Sequence, residues 1–189
     1  DDKIKLVGEI GTQNILDAIN DKCKIVFPST HVIYEGINKV KKEIKEEEES
    51  KPVLSYSSSK AVNEKQLKNS GKNYIILRLG SVYGYSLDTT RIDIMPNLFS
   101  KISSQNGTLR LFSGCKQIKS LVPLIDVARC FKYMEERADI SSEVFNLTKD
   151  TVSVKEVAEI CKKYNPKINL KETNDEIPNL GFSLSNNKV

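Results

Sequence analysis

The chain has 189 residues, 39% of them hydrophobic and 29% charged, with a net charge of +4. That length can bury a proper core without disulfides, and lysines scattered among glutamates form no basic block of the kind a nucleic-acid binder carries. No apolar run approaches the roughly 20 residues that span a bilayer, the start has no signal-peptide pattern, and one histidine with four dispersed cysteines argues against a zinc site.

Residues 12–20 (TQNILDAIN) have helical spacing, with Thr12 able to cap and Ile15, Leu16 and Ile19 sharing a face. Lys24 to Phe27 (KIVF) reads as a short buried strand, running into a loop at Pro28-Ser29-Thr30. The charge-rich stretch 39–51 (KVKKEIKEEEESK) predicts a solvated loop or an exposed helix face. From 57 to 69 the pattern is helical. Residues 73–79 (NYIILRL) predict a parallel strand buried on both faces. Strand, helix and strand of these lengths make a βαβ-type unit.

A helix entered near Pro96 is expected within 92–104, then strands at 108–112 (TLRLF) and 119–123 (KSLVP). Leu124 to Arg137 is an amphipathic helix, with Leu124, Val127, Ala128, Phe131 and Met134 on one stripe. A short strand follows at 143–147. Ser153 and Glu156 then form a capping box, opening a helix with Val154, Val157, Ala158 and Cys161 inside. The polar stretch from Lys171 has little pattern. Cys23, Cys130 and Cys161 lie in or beside apolar segments and read as small core residues; the thiols read as reduced and the setting as cytoplasmic.

Three elements belong together chemically: Ser29-Thr30 at a strand end, Tyr56 to Lys60 opening a helix, and Arg78 to Gly84 after the next strand. Strand ends on one side of an open α/β sheet are where such folds bind ligands. A Tyr and a Lys four apart on a helix share a face. A free tyrosine, with a pKa near 10, is a poor base; a neighbouring ammonium favours the phenolate. Tyr56 can then exchange a proton with a sugar hydroxyl as hydride moves, and Thr30 can hydrogen-bond the same oxygen.

The chain resembles the extended short-chain dehydrogenase/reductases, the NAD-dependent nucleotide-sugar epimerase/dehydratase family. Val26 to Gly36 (VFPSTHVIYEG) is similar to that family's V-F-x-S-S/T-x-x-V-Y-G strand end, with one residue inserted before the glycine. Tyr56 to Lys60 matches its Y-x-x-x-K, and Leu77 to Gly84 its L-R-x-x-N-V-Y-G. Gly11 to Leu16 resembles G-T-x-N-L-L, and Gln117 to Ala128 resembles Q-x-R-D/S-F-V-x-V-D-D-V-A. Asn146 and the stretch Pro178 to Lys188 complete the series.

The resemblance implies a Rossmann-type doubly wound parallel sheet, its C-terminal half present, with a small C-terminal α/β substrate-binding lobe. The expected division is 1–90 for the Rossmann part and 91–189 for the lobe, with a segment near 119–137 returning to the sheet. It implies that Thr30, Tyr56 and Lys60 are catalytic. Pro28, Ser29, Tyr56, Lys60, Leu79, Gly80 and Val82 would border NAD or NADP. Thr30, His31, Ser81 and Lys119 would meet a nucleotide sugar. It implies an epimerase or reductase, homodimeric in full-length form, with neither nucleic acid nor membrane as partner.

Four positions depart from the pattern. Ser81 stands where the family has asparagine, and Lys119 where it has arginine, which loses the bidentate fork. His31 and Val32 occupy the places of the acidic pair of 4,6-dehydratases, which speaks against that reaction. No glycine-rich strand–turn–helix fingerprint is found. The expectation is therefore a portion of a larger enzyme, short by on the order of 60 to 100 residues of dinucleotide-binding half-domain, with weak or no NAD binding by the piece alone. A non-catalytic ligand-binding or regulatory protein on the same fold, and a half-domain completed by another chain, are the alternatives.

Overall fold

The apolar run at 73–79 becomes the middle of a parallel sheet. Asn73–Leu79 (β3) lies between Lys24–Thr30 (β1) and Glu143–Leu147 (β7). This is a computed structural model; it describes residues 2–37, 39–88, 90–112, 115, 117–175 and 181–189. β3 is apolar throughout because both of its faces are covered. Ile75 and Leu77 pack with Val127 and Met134 of α5 (Leu124–Glu136), whereas Ile76 packs with Leu16 and Leu67 on the opposite face. Each such fully buried side chain contributes roughly 1.5–3 kcal/mol. The fold is thus the expected Rossmann-like α/β arrangement.

β1 extends three residues further than its apolar run, through Pro28, to bring Thr30 opposite Leu79. Pro28 is exposed, and β1 has β3 as its only partner among the described residues, so the missing N–H interrupts no ladder.

The first helix starts earlier than its periodicity suggests. Asp2–Ile4 (α1), a π-helical stretch Lys5–Ile10 and Gly11–Ala18 (α2) run on without a break. Thr12 therefore sits inside a helix and caps nothing. The wide turn has side-chain support from Ser55–Asn69 (α3): Asn63 Nδ2 donates to the Gly8 carbonyl at 2.9 Å and Gln66 Nε2 to the Glu9 carbonyl at 3.0 Å. A Cβ on Gly8 would run into the Ser59 hydroxyl where α3 crosses, so Ser59 would have to turn aside.

The charged stretch after residue 39 is neither free loop nor helix. Lys41–Ile44 (β2) pairs in parallel with Phe182–Leu184 (β10), about 140 residues away, and buries Ile44 against Ile33, Tyr34 and Phe182. Of the expected C-terminal stretch, Pro178 to Leu180 falls outside the described residues.

Ser81–Tyr83 (β4), Ile118–Pro123 (β6) and Asp150–Ser153 (β8) form a second sheet, β6 in the middle. Thr108–Phe112 (β5) pairs with Asn169–Thr173 (β9). Met95–Ser104 (α4) and Val154–Tyr164 (α6) close over them, burying Phe99, Leu109, Leu111, Val157, Ala158 and Ile168 in a core of their own. The capping box at Ser153 and Glu156 is formed as the sequence predicts. Cys23 is exposed, contrary to expectation, since the turn before β1 faces outward; Cys115 is the buried cysteine.

Candidate functional site

Because Thr30 and Leu79 are register partners, the segments after β1 and β3 leave the sheet side by side. The next residues build one wall. Gly80 donates its N–H to the Leu147 carbonyl at 2.9 Å, and a Cβ on it would sit 2.8 Å from the Ser120 carbonyl. Only glycine lets β6 approach this closely. The result is a cavity of about 620 Å³ onto which Ser29, Thr30, His31, Tyr56, Leu79, Gly80, Ser81, Val82 and Lys119 all open.

A second cavity of about 520 Å³ lies on the other side of α3, with Phe27, Ser59, Lys60 and Gly8 among its walls. Tyr56 is the residue common to both, and its side chain is half exposed. Lys60 thus stands apart from the larger cavity. Its ammonium lies 4.5 Å above the Phe27 ring and donates to the Pro28 carbonyl at 2.8 Å. Burial lowers its pKa. Pro28, the acceptor of that bond, lines neither cavity.

Within the larger cavity, the Thr30 hydroxyl accepts from the Val32 N–H at 3.3 Å, which leaves its own proton free to donate elsewhere. His31 Nδ1 lies 2.9 Å from the Leu79 carbonyl, and its ring rests 5.7 Å from that of Phe182. The His31 pKa is pushed down to about 4, chiefly by burial; the Leu79 carbonyl opposes the shift, the Lys119 charge adds to it and Glu35 resists it. Burial also lowers the pKa of Lys119, which has no carboxylate partner among the described residues.

Behind this wall lies a buried ion pair. The Arg78 guanidinium meets Glu64 through Nη2–Oε2 at 2.7 Å and Nε–Oε1 at 3.0 Å, and donates through Nη1 to the Tyr34 hydroxyl at 2.5 Å and the Glu46 carbonyl at 2.8 Å. Ser29 Oγ donates to Glu64 at 2.6 Å. Burial disfavours the Arg78 charge, but the Glu64 bond and field prevail and its pKa rises. Burial pushes the Tyr34 phenol up to about 12. The network ties β1, β3, α3 and the turn His31–Tyr34 into one rigid unit beneath the cavity.

Three contributors escape sequence reasoning. Glu35, the residue inserted into the strand-end motif, accepts through Oε1 from the N–H groups of Val53 at 3.0 Å and Leu54 at 2.6 Å, and from the Ser57 hydroxyl. It supplies the cap that Leu54, at the start of α3, cannot. The insertion itself was the available signal. Arg91 opens on the cavity beside its partner Asp93 at 2.8 Å, and Asn97 opens there while accepting from the Gly84 N–H at 3.1 Å. Neither lies in a motif.

A profile of the NAD dependent epimerase/dehydratase family matches residues 7–148. No curated protein matches the chain. Among solved structures, UDP-glucose 4-epimerase of Thermotoga maritima with UDP-glucose is 21% identical, with a TM-score of 0.81, over 96% of this chain and 61% of its own. The dTDP-glucose 4,6-dehydratase of Bacillus anthracis with NAD is 18% identical, with a TM-score of 0.81, over 98% and 61%. MoeE5 in complex with UDP-glucose and NAD is 17% identical, with a TM-score of 0.80, over 96% and 62%. The chain spans about three fifths of the length of each of these structures.

Proposed function

We propose, for a chain that belongs to the NAD dependent epimerase/dehydratase family, that it carries the sugar-handling side of an NAD(P)-dependent epimerase or reductase acting on a nucleotide sugar. The observation that carries the reading is Tyr56, the one described residue bordering both cavities. A proton-transfer group must reach the substrate hydroxyl where the substrate meets the hydride carrier, and a residue at the junction of the two cavities is placed for that.

In this reading the sugar occupies the larger cavity and the nicotinamide ribose the smaller. NAD, when bound, supplies the acceptor or donor of hydride. The residues of the smaller cavity fit that end of the molecule: an ammonium with two donors beyond its bond to Pro28, beside the Phe27 ring and the bare backbone of Gly8. Tyr56 Oη takes the proton of the sugar hydroxyl as hydride leaves the carbon bearing it, and returns the proton in the reverse sense. The free proton of Thr30 Oγ orients the same oxygen. Lys119, a partly desolvated cation without a carboxylate partner among the described residues, attracts the diphosphate. Ser29, Leu79, Gly80 and Val82 line the larger cavity beside Thr30 and would border the nicotinamide where it meets the sugar, and Ser81 offers a hydroxyl to the substrate. The neutral His31 and apolar Val32 supply no carboxylate for water elimination, which favours epimerase or reductase chemistry over 4,6-dehydration.

The test supplies the full-length enzyme with saturating NAD and UDP-glucose, following nicotinamide absorbance and nucleotide-sugar binding by calorimetry. Tyr56→Phe is expected to lower turnover by at least about 100-fold while leaving UDP-glucose affinity within about threefold, since a phenol oxygen that acts in the transition state adds little to ground-state binding. Unchanged turnover in that variant removes Tyr56 from the mechanism.

A further inference from the structure

His31 is the chain's only histidine, and its surroundings determine which of its nitrogens carries a proton. A backbone carbonyl can only accept, so Nδ1, 2.9 Å from the Leu79 carbonyl, must be the protonated nitrogen. A neutral ring then has an unprotonated Nε2 with a lone pair. The ring is half-buried, fixed against Phe182, and opens on the larger cavity. The charged or titratable groups around it are Lys119 from β6, Glu35 from the following turn, and Tyr56 and Arg91 from across the cavity. Lys119 opposes a charge on the imidazole and Glu35 favours one; burial outweighs Glu35, and the ring is neutral at pH 7.

The consequence is an acceptor of fixed direction on the cavity wall. Lys119 and Arg91 can only donate, and the Thr30 hydroxyl, one of whose two acceptor positions is taken by Val32, keeps its proton to donate. We propose that His31 is a specificity-determining residue whose Nε2 accepts a hydrogen bond from a second hydroxyl of the bound sugar, next to the one handled by Tyr56 and Thr30. This deepens, and rests on, the nucleotide-sugar reading. A locked imidazole cannot rotate its acceptor away without breaking the Leu79 bond, so a sugar lacking that hydroxyl leaves a desolvated lone pair unpaired. Sites built this way discriminate strongly against the deoxy analogue.

The single histidine makes the test direct, because every imidazole nitrogen resonance belongs to His31. Without ligand, long-range ¹⁵N–¹H spectra at pH 7 are expected to give one protonated and one bare nitrogen, with Nδ1 the protonated one. Saturating UDP-glucose is expected to move the bare resonance towards the hydrogen-bonded range, and UDP alone to leave it in place. In calorimetry, His31→Phe is expected to weaken UDP-glucose by at least about fivefold, the effect of one hydrogen bond of roughly 1 kcal/mol, with UDP affinity unchanged. His31→Gln, which returns an acceptor to the reach of Nε2, is expected to recover most of the loss. A proton on Nε2 in the free protein, a bare resonance unmoved by bound UDP-glucose, or a Phe variant that binds as the wild type overturns the role of His31 alone. Failure of the wild type to bind either UDP-glucose or UDP-glucuronate overturns the nucleotide-sugar reading and this inference with it.

Discussion

The two sides of Tyr56 are built differently. Towards the larger cavity, the wall is polar and cross-braced: Thr30, His31 and Ser29 are fixed by Val32, Leu79 and the Arg78–Glu64 pair beneath. Towards the smaller cavity, the helical stretch 2–18 is joined to α3 by bonds from Asn63 and Gln66, and it leaves Leu6, Val7, Ile10 and Ile15 more than half exposed. Apolar side chains at such exposure, grouped on one stretch, are uncommon on a finished surface. The contrast teaches where rigidity is invested. Substrate recognition demands positions held within a fraction of an ångström, and the cross-braced wall is the side built to hold them.

The strongest way to break the contrast is to cut the brace. Glu64→Ala leaves the Arg78 guanidinium buried without its counter-ion, a change that costs about 3–5 kcal/mol. Urea unfolding is the measurement, and a loss of that size is expected. Arg78→Met together with Glu64→Leu removes both charges and is expected to lose much less, because no orphan charge remains. An equal loss in both would mean that packing, rather than the ion pair, holds the wall. The single variant should also loosen His31 and Thr30 before it loosens residues 2–18, read by amide exchange.

The next largest effect is pH-dependent and isolates His31. Its folded pKa lies near 4, against 6.5 for an unfolded imidazole. Below pH 6.5 the unfolded chain takes up the proton first while the folded ring refuses it. Stability is therefore complete above about 6.5 and falls as the pH drops towards 4, by on the order of 3 kcal/mol in all. The carboxylates held low by partners, Asp21, Asp93, Asp139 and Glu156, have ordinary values of 3.8 to 4.5, so their contribution is lost mainly below pH 4.5. Midpoints of urea unfolding between pH 7 and 4.5 should thus slope in the wild type and flatten in His31→Gln.

How much of this was legible depends on the range of the contacts. β3 could be placed to the residue because its burial on both faces is written into a continuous apolar run, and the Ser153–Glu156 cap because it spans three residues. Thr30, Tyr56 and the Gly80 segment were found by order and spacing, and the fold does bring them to one cavity. Lys60, four residues from Tyr56, was expected to assist it and to border the cofactor; its ammonium bonds the Pro28 carbonyl and lies over the Phe27 ring, partners that helical spacing alone cannot express. β2 was unreadable because its partner strand lies about 140 residues on and its exposed face is all charge. Arg91 and Asn97 reach the cavity by tertiary folding alone, with no local pattern to report them.

Glu35 offers the smallest and most local way to sharpen the comparison. It lies on the braced side, yet its carboxylate acts on the entry to α3 that carries Tyr56. A carboxylate at a helix N-terminus satisfies orphan N–H groups and meets the positive end of the helix dipole, together contributing about 1–2 kcal/mol. Glu35→Gln keeps one acceptor but removes the charge and is expected to lose less than Glu35→Ala. Both should speed amide exchange at Val53 and Leu54, with the amides of β3 unchanged. If the cap serves to hold Tyr56 in place, turnover should fall several-fold in Glu35→Ala with UDP affinity intact, and Glu35→Asp, whose carboxylate falls one methylene short, should lie between. Unchanged exchange at 53 and 54 would mean that α3 is held by its packing under Leu67 and Ile76 and that the inserted residue has no part in presenting the tyrosine.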